Sequence, residues 1–362
     1  MDSSFQPTLY NPRGKLKKLV EHLDRIPCYL FRTQAPRTNG TTTVTLVQSA
    51  AATNRYPITD MLRRPTDEAA NMLKNHCLWL NSRDDNLTSW TSSFLFAIQL
   101  AIYRQFGDWG KPSPSSIQIH VLDTRKLPRG TFISAVPLLQ TYGICHQKLV
   151  HDYCHDEYLS QGNVVVPDGA MAMITYQSLI DDGLHELYPA FAEEEKRNSL
   201  RNRVLQFRDA FDDDPKIPTE EQLSIAEAIA NRWCSSDGMR PVIMTTLLSL
   251  EPRYRKEPAI LKAFEVNGWG SYVGNESLDS FNITSSEFVD EHRQFIEMIH
   301  DVHADAQRQR QLREAGLATS EVTETFSQMN RRLLHFTRAE QELIEQYHHH
   351  IKVRLRLPLI LL

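Results

Sequence analysis

Apolar positions form short β-like runs in the first half of the chain and longer helical stripes in the second. Phe94, Ala97, Ile98, Ala101 and Ile102 recur at i, i+3, i+4, i+7 and i+8, one face of a helix about three turns long. Cys28 to Arg32, Thr41 to Val47, Ser89 to Ser93 and Ser116 to Asp123 read as strands, being rich in β-branched, aromatic or alternating residues between polar turns. Val164 to Val166 and Met171 to Thr175 flank Pro167-Asp168-Gly169. Proline there presets φ and glycine accepts positive φ, so the pattern predicts a hairpin. Further helices are predicted over Lys15 to Leu23, Glu68 to Cys77 (opened by Thr66) and Phe132 to Gln140, and Leu184 to Tyr188 reads as a last strand. Strands interrupted by helices without regular βαβ spacing argue for an α+β fold.

Beyond Pro189 no strand pattern is visible. Residues 190–210 form a charged helical stretch broken by Asp212-Asp213-Asp214-Pro215. Helices follow from Pro218 to about Trp233, over Arg240 to Leu250 and over about 286–314, and Thr337-Arg338-Ala339-Glu340 has capping-box spacing. The predicted organisation is a polar lead-in (1–24), an α+β domain (25–190) and an all-α C-terminal region (191–362). On that division a fragment ending near Arg208 is expected to fold alone.

Composition excludes more than it suggests. Hydrophobic content of 41% and charged content of 23% are those of a soluble globular protein. A net charge of −5 offers no field for nucleic acid or anionic lipid, and the run Leu357 to Leu362 is too short to span a bilayer. Five cysteines at irregular spacing are not a disulfide framework and fit a reducing compartment. The N-terminal segment lacks the apolar stretch of a secretory signal, so an intracellular location, cytoplasmic or nuclear, is expected. Cys145, His146, His151, Cys154 and His155 crowd together, but their spacing suits no common four-ligand zinc site, and no metal is expected.

The candidate chemistry centres on Glu157, five residues before Gly162 at the start of the predicted hairpin. Upstream, Arg32 ends a short apolar strand, and Ser89-Trp90-Thr91-Ser92-Ser93 is a hydroxyl-rich strand end running into the helix that carries Ala97. This ordered trio resembles the ADP-ribosyltransferase fold, in its Arg–Ser–Glu group that includes the cholera-type toxins. It is also similar to an uncharacterised fungal domain family of the same layout. The resemblance spans about residues 25–190.

The resemblance implies a split β-sheet core with flanking helices, NAD as substrate and an unknown macromolecular acceptor. It makes Glu157 the catalytic carboxylate, since cleavage of the nicotinamide–ribose bond passes through an oxocarbenium-like state that a fixed negative charge stabilises. Arg32 would grip the pyrophosphate with a planar guanidinium, and Thr91 and Ser92 would orient the two charged groups. Trp90 and Tyr153 become candidates to pack on nicotinamide, and His155 lies on the acceptor side. Two departures bear on function. His155 stands where arginine- or asparagine-modifying relatives carry Glu or Gln. Aligned on Thr91-Ser92, the first serine of the Ser-Thr-Ser motif is replaced by Trp90, with Ser89 one position early. The alternative is an inactive fold of this type that serves as an interaction module, its helical half binding a protein partner.

Overall fold

The computed structural model describes residues 6–80, 82–107, 110–144, 154, 156–193, 200–234, 238–269, 289–314, 327–333, 338 and 340–346. Nine strands are described: β1 (Tyr29–Gln34), β2 (Thr41–Thr42), β3 (Leu46–Gln48), β4 (Leu87–Thr91), β5 (Gln118–Asp123), β6 (Ile133–Ser134), β7 (Glu157–Gln161), β8 (Asn163–Val165) and β9 (Met171–Thr175). The α-helices, after a 3-10 segment Gly14–Leu23, are α1 (Ala50–Thr53), α2 (Thr66–Cys77), α3 (Phe94–Phe106), α4 (Ala135–Thr141), α5 (Tyr176–Asp181), α6 (Leu184–Leu187), α7 (Arg201–Asp209), α8 (Glu220–Trp233), α9 (Arg240–Leu248), α10 (Pro258–Val266) and α11 (Asp290–Glu314). The fold is mixed α+β with two antiparallel sheets, one ordered β6-β7-β4-β1-β5-β9 and the other β2-β3-β8.

The chain crosses between the sheets at Gly162. Its φ of +60° suits glycine, and a Cβ there would come within 2.4 Å of Ile58 Cγ2 and 2.7 Å of Thr8 Oγ1. Gly162 N–H donates to Asn86 O and Gly162 O accepts from Ser49 N–H, so the turn ties both sheets together. Beyond it the predicted hairpin does not form. Pro167 to Gly169 does turn, but β8 pairs with β3 in the small sheet and β9 pairs with β5 in the large one. Strand partners are chosen by the whole fold, and the local turn decides only the reversal. The run predicted as one strand over Thr41 to Val47 is likewise a tight pair, β2 against β3. Leu184 to Tyr188 is helical rather than extended. Gly183 at φ +99° starts α6, and Leu184 and Leu187 bury at an i, i+3 spacing that a short apolar run does not reveal.

Two compact units divide the chain, residues 1–304 and 305–362. In the first, one core joins both predicted regions. Phe31, Ile119 and Val121 of the large sheet cluster with Phe94, Ile98 and Ile102 of α3. Val204, Trp233, Ile243, Leu247, Phe264 and Ile299 from the later helices belong to the same cluster. Phe94 is in ring contact with Phe31 on one side and Trp233 on the other, with centroids 5.1 and 5.4 Å away. The boundary expected at residue 190 therefore falls inside a core. In the second unit the described residues are helical, and Met329, Leu333, Leu343 and Ile344 are exposed. The capping box expected at Thr337 lies outside the described residues. Among the described residues, no helix is long and apolar enough to cross a membrane.

Candidate functional site

Glu157 is the first residue of β7 and pairs in register with Thr91 on β4. Side chains alternate across a strand, so Ser89 and Thr91 share the face of β4 that carries Glu157. The Ser89 hydroxyl donates to Glu157 Oε1 at 2.6 Å. On its other side Ser89 Oγ lies 2.7 Å from His76 Nε2, and His76 Nδ1 lies 2.6 Å from Asp85 Oδ2. Asp85 is itself fixed, since its Oδ1 accepts from Leu87 N–H at 2.9 Å and its carbonyl accepts from Ala51 N–H at 2.8 Å.

This chain of contacts sets the protonation of its members. Three consecutive hydrogen bonds, from Asp85 through His76 and Ser89 to Glu157, need three protons, and a neutral histidine with a serine brings two. The third sits on His76 as imidazolium unless a carboxyl group holds it. Burial opposes charge on the His76 ring, but Asp85's charge and hydrogen bond, followed by Glu157's charge, outweigh it and raise the pKa. His76 also occupies the last turn of α2, where the helix dipole favours a cation.

Arg32 reaches the same strand from β1. It donates to Ser89 O at 2.8 Å, to Thr42 Oγ1 at 2.9 Å and to Asn39 O at 3.4 Å, and it is buried. Burial, and then the charge of Arg104, draws its pKa down to about 10, which leaves it charged at neutral pH. The guanidinium thus braces the backbone under Ser89. It is not held out towards a pyrophosphate.

The other expected site residues separate. Thr91 Oγ1 accepts from Ser93 N–H at 3.0 Å and shapes the junction between β4 and α3. Ser92 is buried, its hydroxyl lacks a hydrogen-bond partner, and with Phe31, Glu291 and His292 it lines a cavity of about 30 Å³. That space suits water and not a nucleotide. Trp90 projects from the opposite face of β4, where its indole N–H donates to Ser160 Oγ at 2.9 Å and Phe132 packs edge-on with centroids 5.5 Å apart. It is a core residue with a satisfied polar tip, not a stacking platform for nicotinamide. Tyr153 and His155 lie outside the described residues.

The structure therefore brings together Arg32, Ser89 and Glu157 and adds His76 and Asp85, which the sequence reading missed. Ser89 was legible as a serine one position early. Asp85 precedes it by four residues, an even spacing that puts both on one side of an extended run. His76 carries no sequence signal, since it joins the site only through the packing of α2.

The site belongs to an α+β domain in which β7, flanked by β6 and β4, begins with a carboxylate backed by a hydroxyl, an imidazole and an arginine. The sequence profile of a domain of unknown function, DUF7587, matches residues 25–167, a span that contains Arg32, His76, Asp85, Ser89 and Glu157. No curated protein and no solved structure matches the chain.

Proposed function

We propose that this domain cleaves NAD, as a mono-ADP-ribosyltransferase or an NAD glycohydrolase, with Glu157 as the carboxylate that stabilises the transition state. The observation that carries the reading is the Ser89 hydroxyl fixed 2.6 Å from Glu157 Oε1, on a strand whose backbone Arg32 grips at 2.8 Å. A carboxylate so held faces a developing oxocarbenium ion without reorganising, the condition under which electrostatic stabilisation is largest. In the reaction the bond between ribose C1′ and the nicotinamide nitrogen breaks, and nicotinamide leaves with the electron pair. Water or an acceptor nucleophile then bonds to C1′ and releases its proton. With His155 in place of Glu or Gln, hydrolysis or transfer to an unusual acceptor is favoured over transfer to arginine.

The Asp85–His76–Ser89 distances also resemble a nucleophilic serine triad. Glu157 argues against that reading. A carboxylate 2.6 Å from Ser89 Oγ would oppose the negative charge that develops on a tetrahedral intermediate.

The test is NAD consumption and nicotinamide release by the purified full chain. Glu157→Gln is nearly isosteric and should lower the rate by about a hundredfold while leaving circular dichroism unchanged. Wild-type protein that neither binds nor consumes NAD would leave an inactive fold of interaction type. Activity that survives Glu157→Gln would place the chemistry elsewhere.

A further inference from the structure

We propose that Cys77, Cys154 and Glu157 form a binding site for a zinc-class divalent cation. The two sulfurs and a Glu157 carboxylate oxygen all lie within 4.8 Å of one another. Tetrahedral zinc with bonds of about 2.3 Å to sulfur and about 2.0 Å to oxygen places its ligand atoms roughly 3.5–3.8 Å apart. The donors therefore need to close by no more than about 1.3 Å.

Each donor is held by the fold. Cys77 is the last residue of α2, Glu157 opens β7, and the Cys154 carbonyl accepts from Glu157 N–H at 3.2 Å. Both cysteines are buried, in a cluster with Leu73, Leu138 and Leu159, so an apolar shell surrounds the sulfurs. Glu157 is half-buried, which leaves one side of the set facing outward for an exchangeable fourth ligand. Ser89 holds Oε1 of Glu157, and the Cys154 thiol hydrogen-bonds both Glu157 and Cys77, so the three donors already face one another and the entering cation replaces these thiol protons.

Two thiols with one carboxylate select zinc, cadmium or cobalt over magnesium and calcium, which require oxygen ligands. Binding displaces one proton from each thiol, so two protons leave as the cation enters. The sequence alone leads to no metal in the protein, because the run from Cys145 to His155 suits no four-ligand site, and zinc bound here would overturn that expectation. The present set shares only Cys154 with that run and takes its other ligands from α2 and β7. Occupancy would engage the Glu157 carboxylate and suppress NAD cleavage. That consequence rests on the proposed function, whereas the binding itself does not.

The experiment uses the full chain, stripped with chelator and titrated separately with Zn²⁺ and Co²⁺. One equivalent should bind, and the cobalt form should show a thiolate-to-cobalt charge-transfer band. Cys77→Ser and Cys154→Ser, each checked by circular dichroism, should abolish that band and weaken zinc binding at least tenfold. Wild-type protein that takes up no metal, or whose cobalt spectrum lacks the thiolate band, overturns the proposal without recourse to any variant. Binding that persists unchanged in both serine variants overturns it as well, and assigns the metal to histidines elsewhere in the chain. Nicotinamide release is measured in parallel. If metal binds as described and NAD cleavage is absent throughout, the site stands and the NAD reading fails.

Discussion

His76 and Asp85 touch the candidate site only through Ser89, which makes them positioning residues with a testable signature. Replacing His76 by Phe removes the donor that sets the Ser89 hydroxyl, and Asp85→Asn removes the charge that holds the imidazole. On the proposed function, each should lower kcat for NAD cleavage about tenfold or more with little change in KM, while His76→Gln, which keeps a donor, should recover part of the loss. Because the residues act in one chain, the double variant should be no worse than the poorer single one. Additive losses would show that the two residues work separately. Two other histidines govern acid stability. His120 is buried, has no partner on either ring nitrogen, and faces Arg32 across the β1–β5 register. Burial, and then Arg32's charge, lowers its pKa to about 3, and burial lowers that of His292 to about 4. Both rings are therefore neutral in the fold and become cationic in the unfolded chain near pH 6.5. Their contribution is complete above that pH and is lost as pH falls towards 4 and then 3, on the order of 1 kcal/mol per pH unit for each. Urea denaturation at pH 7 and pH 5 should show the decline, and His120→Phe should flatten it; an unchanged slope would show that the residue does not control it.

At the scale of elements, the site strand is clamped by a helix far away in sequence. Arg208 of α7 bonds Asp156 Oδ2 at 2.8 Å, directly before Glu157, and Glu291 Oε1 of α11 at 2.9 Å. Glu291 in turn accepts at 2.5 Å from Ser93, the N-cap of α3. Arg208→Met would remove the guanidinium shared by Asp156 and the buried Glu291, at a cost of about 3–5 kcal/mol, which urea denaturation would register. Adding Glu291→Gln should return part of it; a single variant as stable as wild type would show that the clamp carries no weight. None of this clamp was legible in sequence, because its members are long-range partners on α7, on α11, at the start of α3 and directly before β7. What was legible is local. The stripe from Phe94 to Ile102 is α3, and the strand that carries Arg32 lies close to where the pattern put it, whereas Glu157 opens β7, a strand the pattern did not predict. The pairing of β8 and β9, the helical state of Leu184 to Leu187 and the existence of α10 depend on burial decided by other elements, so apolar runs of a few residues left them open.

At the scale of the whole molecule, the change in sequence character after Pro189 marks a change of secondary structure and not the edge of a core. Helices need no strand partners, so they can cover a sheet from a distant part of the chain without leaving any period-2 signal. Here α8 and α9 do so, with Trp233 against Phe94 and with Ile243 and Leu247 fully buried among residues of β1, α3 and β5. A chain ending at Arg208 would expose α3 and the large sheet and discard Trp233, Ile243, Leu247, Phe264 and Ile299, where single large-to-alanine truncations already cost about 2–5 kcal/mol each. Losing several at once exceeds the 5–15 kcal/mol that holds a domain together. That fragment, expected from sequence alone to fold, should instead be insoluble or should melt without a cooperative transition. A chain ending after Glu314, which retains every member of the shared core and leaves α11 whole, should unfold cooperatively by calorimetry and circular dichroism. A cooperative transition in the shorter fragment would restore the boundary near residue 190 and demote the later helices to an appendage.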